Sequence, residues 1–291
     1  TPGNLGDLGA SLRKEGISVS TLGLGDGYNE DLMFAIAERS DGNHSFAESG
    51  KELAAIFDNE FGDVLSVVAQ EVLVTIECEA GIRPVRVLGR EAEIAGQSCT
   101  VLLNQLYSEQ EKYVLLEVEI PASEAGKSRD IANVEVSYAN MATKLTDELT
   151  SKVGVRFTAA PREVADNANK DVMVASALQI ATLNNLKAMQ LRDEGKVSEA
   201  SLLLKQNSAY CLDAHTLWGS DELRQFGLNN DIDAERLEPG AWAATRKAMR
   251  ADQFKNQSQQ SRGYNPRGNA IHEPAVGKGG TPEQPRPKSR N

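Results

Sequence analysis

A chain of 291 residues, 40% hydrophobic and 25% charged, has ordinary globular composition and length for about two domains and a tail. Its net charge of −11 argues against a general nucleic-acid binder, which needs an excess of Lys and Arg to neutralise phosphates. No apolar run approaches the roughly 18 residues of a membrane-spanning helix.

Thr1-Pro2-Gly3-Asn4 reads as a turn leading into a short helix, with Leu5, Leu8 and Leu12 on one face and Arg13 and Lys14 near its end. Because the chain opens on Thr1 and on a partial element, the expectation is of a fragment whose upstream part, with any signal peptide or anchor, is lacking. Next, Ile17, Val19, Thr21 and Leu22 form the β-branched run of a buried parallel strand. Gly23, Gly25 and Gly27 permit a tight turn, and Asn29 is placed to cap the following helix, with Glu30 and Asp31 at its positive end. Leu32, Ile36 and Arg39 mark the faces of that helix, Asp41-Gly42 stops it, and His44 and Phe46 begin another short strand. The stretch is half of an open α/β sheet. Gly23 to Gly27 is not a phosphate loop, for it has neither the G-x-x-x-x-G-K-S/T pattern nor the G-x-G-x-x-G spacing. Ser49 and Glu52 have capping-box spacing, and Leu53, Ile56, Phe57, Val64, Leu65 and Val68 recur at helical intervals behind them.

The strand G-I-x-V-x-T-x-G-x-G and the helix N-E-D-L-M-x-x-I-A, followed by KELAAIFDNEFGDVL, closely resemble the C-terminal third of a von Willebrand factor type A domain. The flavour is that of bacterial proteins related to calcium-activated chloride channel regulators and inter-alpha-trypsin inhibitor heavy chains. The resemblance implies a Rossmann-like α/β fold and metal-dependent adhesion. In such domains a D-x-S-x-S loop, a Thr and an Asp hold a magnesium-type ion at the C-terminal edge of the sheet, and the ion binds a partner's carboxylate. This sequence has no D-x-S-x-S loop, so no residue carries over as a metal ligand and no cofactor is expected here; Mg2+ belongs to the complete domain. Asp26, Gly27, Tyr28 and Asn29, with the Thr1 to Asn4 turn, are the positions expected to line that edge and face a protein partner.

At Gln70 the period changes from 3.6 to 2. Val72, Val74, Ile76 and Cys78 alternate with polar neighbours, as do Val85 and Val87, Val114 to Ile120, Val134 to Tyr138, and Val153 to Phe157, which predicts an antiparallel sandwich. Glu117 and Glu119 stand on a solvated face. Cys78, Cys99 and Cys211 are too widely spaced for a metal or disulfide framework and read as small buried hydrophobes. Past a polar linker, Pro161 to Asn169, stripes at Val174, Leu178, Ala181, Leu186 and Met189 and at Val197, Ala200, Leu203 and Leu204 predict a helical hairpin packed on the sandwich. Ala188, Leu191, Gly195 and Ala200 resemble one tetratricopeptide-type unit, but repeat arrays need about three copies. A further helix is expected after Pro239-Gly240, including Trp242, Met249 and Phe254. From Gln257 the composition, rich in Gln, Gly, Pro and basic residues, reads as disorder.

The expected divisions are therefore 1–69, the truncated type A part; 70–160, the sandwich; 161–256, the helices; and 257–291, the tail. His44, His215 and His272 fall in a strand, at a helix end and in the tail, and form no catalytic or metal site. Together these readings imply a non-enzymatic protein-binding scaffold, with the cell envelope the favoured address. A type A subunit of a cytoplasmic chaperone or insertase system that partners an ATPase is the alternative.

Overall fold

In a computed structural model describing residues 2–25, 27–47, 50, 53–54, 56–57, 67–108 and 110–259, the first helix, α1 (Pro2–Lys14), starts at once, with proline in the first-turn position that it suits. Of the turn expected over Thr1 to Asn4, residues 2–4 are part of a helix, and Thr1 lies outside the described residues. Of the leucine stripe, Leu8 is exposed and Leu5 and Leu12 are half-buried, and α1 presents Gly6 and Gly9 to the next helix. A Cβ at Gly9 would stand 2.7 Å from the carbonyl oxygen of Ile36, so the two backbones meet at a distance only glycine permits.

Strand β1 (Thr21–Leu24) is shorter than the β-branched run. Ile17 is exposed, and the Val19 N–H donates to the Ser40 hydroxyl (3.0 Å), which ties this stretch to the end of helix α2 (Glu30–Ser40) instead of to a ladder. Asn29 caps α2, its side chain accepting from the Leu32 N–H (3.1 Å), and Asp41 ends it in the left-handed conformation at φ 56°. Strand β2 (His44–Ala47) then pairs parallel to β1, Thr21 opposite His44 and Gly23 opposite Phe46. Leu53 and Ile56 are helical and Ile56 is buried; Ser49, Glu52, Val64 and Leu65 lie outside the described residues. Val68, expected in that helix, already belongs to a strand.

The sandwich is present and lopsided. Strands β3 (Val67–Cys78), β4 (Arg83–Leu88), β5 (Glu93–Ala95), β6 (Ser98–Tyr107), β7 (Leu115–Glu119), β8 (Ser128–Asn140) and β9 (Thr146–Arg156) make a five-stranded antiparallel sheet in the order β5-β6-β3-β8-β9 and a two-stranded sheet of β4 and β7. Their shared core holds Val72, Val74, Ile76, Val101 and Leu103, packed against Val87, Leu116 and Val118 of the smaller sheet. Strand β6 is an interior strand, yet apolar side chains stand on both its faces, Leu102 outward and Val101 and Leu103 inward, which hides the period-2 signal. Glu117 and Glu119 stand in the open, paired across the strands with Arg86 and Arg83.

A short helix, α3 (Pro161–Asp166), interrupts the expected linker, and α4 (Lys170–Asp193) and α5 (Val197–Trp218) form the hairpin across Gly195, at φ +81°. Helix α6 (Asp221–Glu235) has no counterpart among the elements expected from the sequence, because its buried face is built from Asn229, Asn230 and Asp233 as well as Leu223 and Phe226. The last helix, α7 (Pro239–Ser258), runs past the expected tail boundary. Its cap residue Gln259 is fixed by the sandwich: the Tyr113 N–H donates to Gln259 Oε1 (2.8 Å) and Gln259 Nε2 donates to the Tyr113 carbonyl (2.9 Å). Gln179 of α4 continues that seam, Nε2 donating to the Tyr113 hydroxyl (3.1 Å) and to the Asn256 carbonyl (2.7 Å). The tail from residue 260, expected to be disordered, lies outside the described residues.

All three thiols are buried and free. Burial pushes each of them up, Cys211 to about 12, with Glu77 adding to the effect at Cys78 and Cys78 adding to it at Cys99. An aromatic disulfide reagent should therefore leave the native chain unlabelled over minutes and titrate all three thiols in denaturant. A rapid native equivalent would mean that one cysteine is exposed and reactive.

Candidate functional site

The loop between β1 and α2 stands at the C-terminal end of the two parallel strands, the side of an open α/β sheet on which ligands dock. Gly25, at φ +63°, turns the chain there and donates its N–H to the Ala47 carbonyl (2.9 Å). Of the four predicted edge residues, Asp26 lies outside the described residues and Gly27 is exposed. Asn29 is exposed but committed to its cap. Tyr28 folds inward: its ring lies 5.9 Å from Phe46 and 6.2 Å from His44, and it covers Gly23, where a Cβ would meet the ring at 2.1 Å. Gly23 is glycine because the tyrosine occupies its side-chain space.

Behind this loop, α7 grips the start of α2. Burial alone would raise Glu30, but its backbone hydrogen bond and those from Lys247 and Arg246 outweigh that and leave it low. Asp31 behaves likewise, held down by Arg250 and Arg246 against burial. Lys247 Nζ stands 3.0 Å from Glu30 Oε2, Arg250 Nη2 stands 2.7 Å from Asp31 Oδ1, and Arg246 reaches Glu30, Asp31 and Asp193 together. The cations also lie over rings: Lys247 Nζ is 5.0 Å from the centre of Tyr28 and Arg250 Cζ 4.7 Å from that of Phe34. Phe254 fills the space between, edge-on to Phe34 at 5.2 Å and to His44 at 5.7 Å.

His44 is a packing residue. The Thr21 hydroxyl donates to the Met33 carbonyl (3.1 Å) and lies 2.8 Å from His44 Nδ1, so with its proton spent it accepts from Nδ1–H. Nε2 is then a bare, buried acceptor with no hydrogen bond among the described residues. Burial, and after it Arg250, lowers this imidazole to about 4.

The D-x-S-x-S loop does not occur, and among the described residues no group of three or more His, Cys, Asp or Glu is placed to hold a metal. Nor is any described helix long and apolar enough to cross a membrane.

No family model matches the chain. Over 77 residues, 26% of its length, it is 31% identical to the uncharacterized protein YfbK of Escherichia coli K12, and the match spans 13% of that protein. Solved structures similar to it include a von Willebrand factor type A protein from Catenulispora acidiphila, with a TM-score of 0.64 and 12% identity over 88% of this chain and 61% of that one. Human COPII-coat protein Sec24c is similar at 0.55 and 15% identity, over 88% of this chain and 34% of that one. The ArnB paralog VWA2 from Sulfolobus acidocaldarius is similar at 0.50 and 16% identity, over 82% and 55%. The chain thus has a von Willebrand factor type A-like fold and spans less than two thirds of each of these proteins.

Proposed function

We propose that the chain is a non-enzymatic, protein-binding scaffold that presents the β1–α2 edge, residues 26–29, to a protein partner in the cell envelope. The observation that carries this reading is the architecture of the edge. A loop at the C-terminal end of parallel strands is backed by Tyr28 seated on Gly23 and by a helix clamped through Arg246, Lys247 and Arg250. Residues held in place in this way bind with less ordering cost. The fold supports the reading, since type A-like domains commonly mediate protein–protein interaction. Protonated buried thiols and a neutral, packed His44 support the absence of catalysis.

A photo-crosslinking residue at position 27, where a side chain meets nothing within 4 Å, tests the edge in the source cells. The expected product is a discrete crosslinked protein in the envelope fraction, absent when the probe sits at the exposed Thr150 of β9. The same product from both positions, or a cytoplasmic ATPase as the captured protein, would replace this proposal with another. The proposal also has the chain act without a metal of its own, so calorimetric titration with magnesium chloride should give no saturable heat.

A further inference from the structure

Where the C-terminal ends of α1 and α2 meet the sandwich and the last turn of α7, a cavity of about 50 Å³ is lined by Arg13, Glu38, Asp41, Arg90, Glu91 and Phe254, among others. A single water needs roughly 10–15 Å³ by the same kind of measure, so the space takes a few waters or one small ion. Two arginines, Arg13 and Arg90, and three carboxylates, Glu38, Asp41 and Glu91, line it, yet guanidinium N–H groups are left unused. Arg90, in the turn between β4 and β5, has Nε and Nη2 buried and donating to no acceptor among the described residues. Arg13 Nε is in the same position, although Arg13 Nη2 donates to the Leu102 carbonyl. Lys112 is buried beside them with its Nζ 3.8 Å from Asp41 Oδ1, beyond hydrogen-bond length. The other Asp41 oxygen accepts from the Asn104 N–H at 2.6 Å.

Three cations thus stand near Asp41, with Glu38 and Glu91 on the same wall. Burial lowers both Arg90 and Lys112, Asp41 is the carboxylate that opposes it, and Arg13 pushes both of them further down. Glu38 keeps an exposed flank, and its carboxyl is pushed up, first by desolvation and then by Glu91. A buried guanidinium with unused N–H groups is costly, and its planar fork matches two oxygens of one anion.

We propose that this junction binds a small inorganic oxyanion of the phosphate type, held by the guanidinium groups of Arg90 and Arg13 with Lys112 behind them. The bound ion joins three parts of the molecule, with Arg13 reaching it from the α/β unit, Arg90 and Lys112 from the sandwich, and the end of α7 closing the cavity. The inference stands apart from the protein-binding edge, which lies on the other end of the parallel strands.

Thermal unfolding of the 291-residue chain, with sodium phosphate replacing sodium chloride at constant ionic strength and pH 7, tests it. We expect a saturable rise in Tm with phosphate, and an apparent affinity at least tenfold weaker in Arg90→Gln and in Arg13→Gln, each checked for native circular dichroism. In chloride alone Arg90→Gln should unfold no earlier than the parent, because it removes buried guanidinium N–H groups that have no acceptor among the described residues. If Arg90→Gln does not fold, the phosphate arm on the parent and on Arg13→Gln decides. No phosphate-specific rise, or the same rise in parent and variants, overturns the proposal; so does an Arg90→Gln that loses equal stability with and without phosphate, since Arg90 would then be only a structural residue.

Discussion

Phe254→Ala is expected to cost about 3–5 kcal/mol and to release α7 from the α/β unit. The ring is almost wholly buried, at 2% exposure, and touches both Phe34 of α2 and His44 of β2. Its removal widens the junction cavity it already lines, so water gains entry to the apolar seam. The ionic clasp beside it is expected to matter less. Arg246→Ala leaves Glu30 with Lys247 and Asp31 with Arg250, so neither carboxylate is stranded, and about 1–3 kcal/mol is the expected loss. Equilibrium unfolding in urea ranks the two, and limited proteolysis locates the damage, with first cuts expected in 239–259 of the Phe254→Ala variant. Should Arg246→Ala prove the more destabilising, the charges and not the aromatic plug would be what holds the helix down.

Features that close within a few residues are legible in the order of amino acids alone. Asn29 caps α2 three residues on, Asp41-Gly42 ends it, and the switch of period near Gln70 marks the sandwich, because short-range hydrogen bonds and strand alternation leave their trace in local order. The edge is legible as a place but not as surfaces. Nothing near Tyr28 tells that its ring turns back over Gly23. Glu30 and Asp31 read as helix-end charges, and only the folded chain brings them Arg246 and Arg250 from 216 and 219 residues away. The one local hint is the spacing of Arg246, Lys247 and Arg250 along one helix. Patterns also mislead where small or polar residues make the interior. Gly6 and Gly9 outcompete a leucine stripe because they let two helices touch. In the bundle Asn207 buries its amide by donating to the Ala181 carbonyl (2.8 Å) and to Asn185 (2.9 Å), and Asn230 donates to the Phe226 carbonyl (2.7 Å). A core satisfied by amides carries no hydrophobic signature, which is why α6 leaves so little mark in the sequence.

The docked α7 should loosen in mild acid, and His44 sets the window. The unfolded imidazole takes a proton below its ordinary value of 6.5, whereas the folded one resists until about 4, because its protonated form would sit in an aromatic pocket beside Arg250. Between those values the unfolded state binds more protons, so stability falls as pH falls, by about 3 kcal/mol for a shift of that size. Glu30 and Asp31, both depressed, add their losses only below their ordinary values of 4.5 and 3.8. The interval from 6.5 to 4.5 therefore belongs to His44 among these three. His44→Asn keeps a polar atom for Thr21 and removes the titration; it should carry a constant loss from the missing ring but a much flatter pH profile. Subtracting the two profiles cancels the other titrating groups, the raised carboxyl of Glu38 included. Urea midpoints for both proteins across pH 4.5–7 supply the measurement, with hydrogen exchange in 239–259 reporting whether α7 is the part that opens. Parallel profiles for the two proteins would show that the imidazole titrates normally and that the clasp is not acid-labile through it.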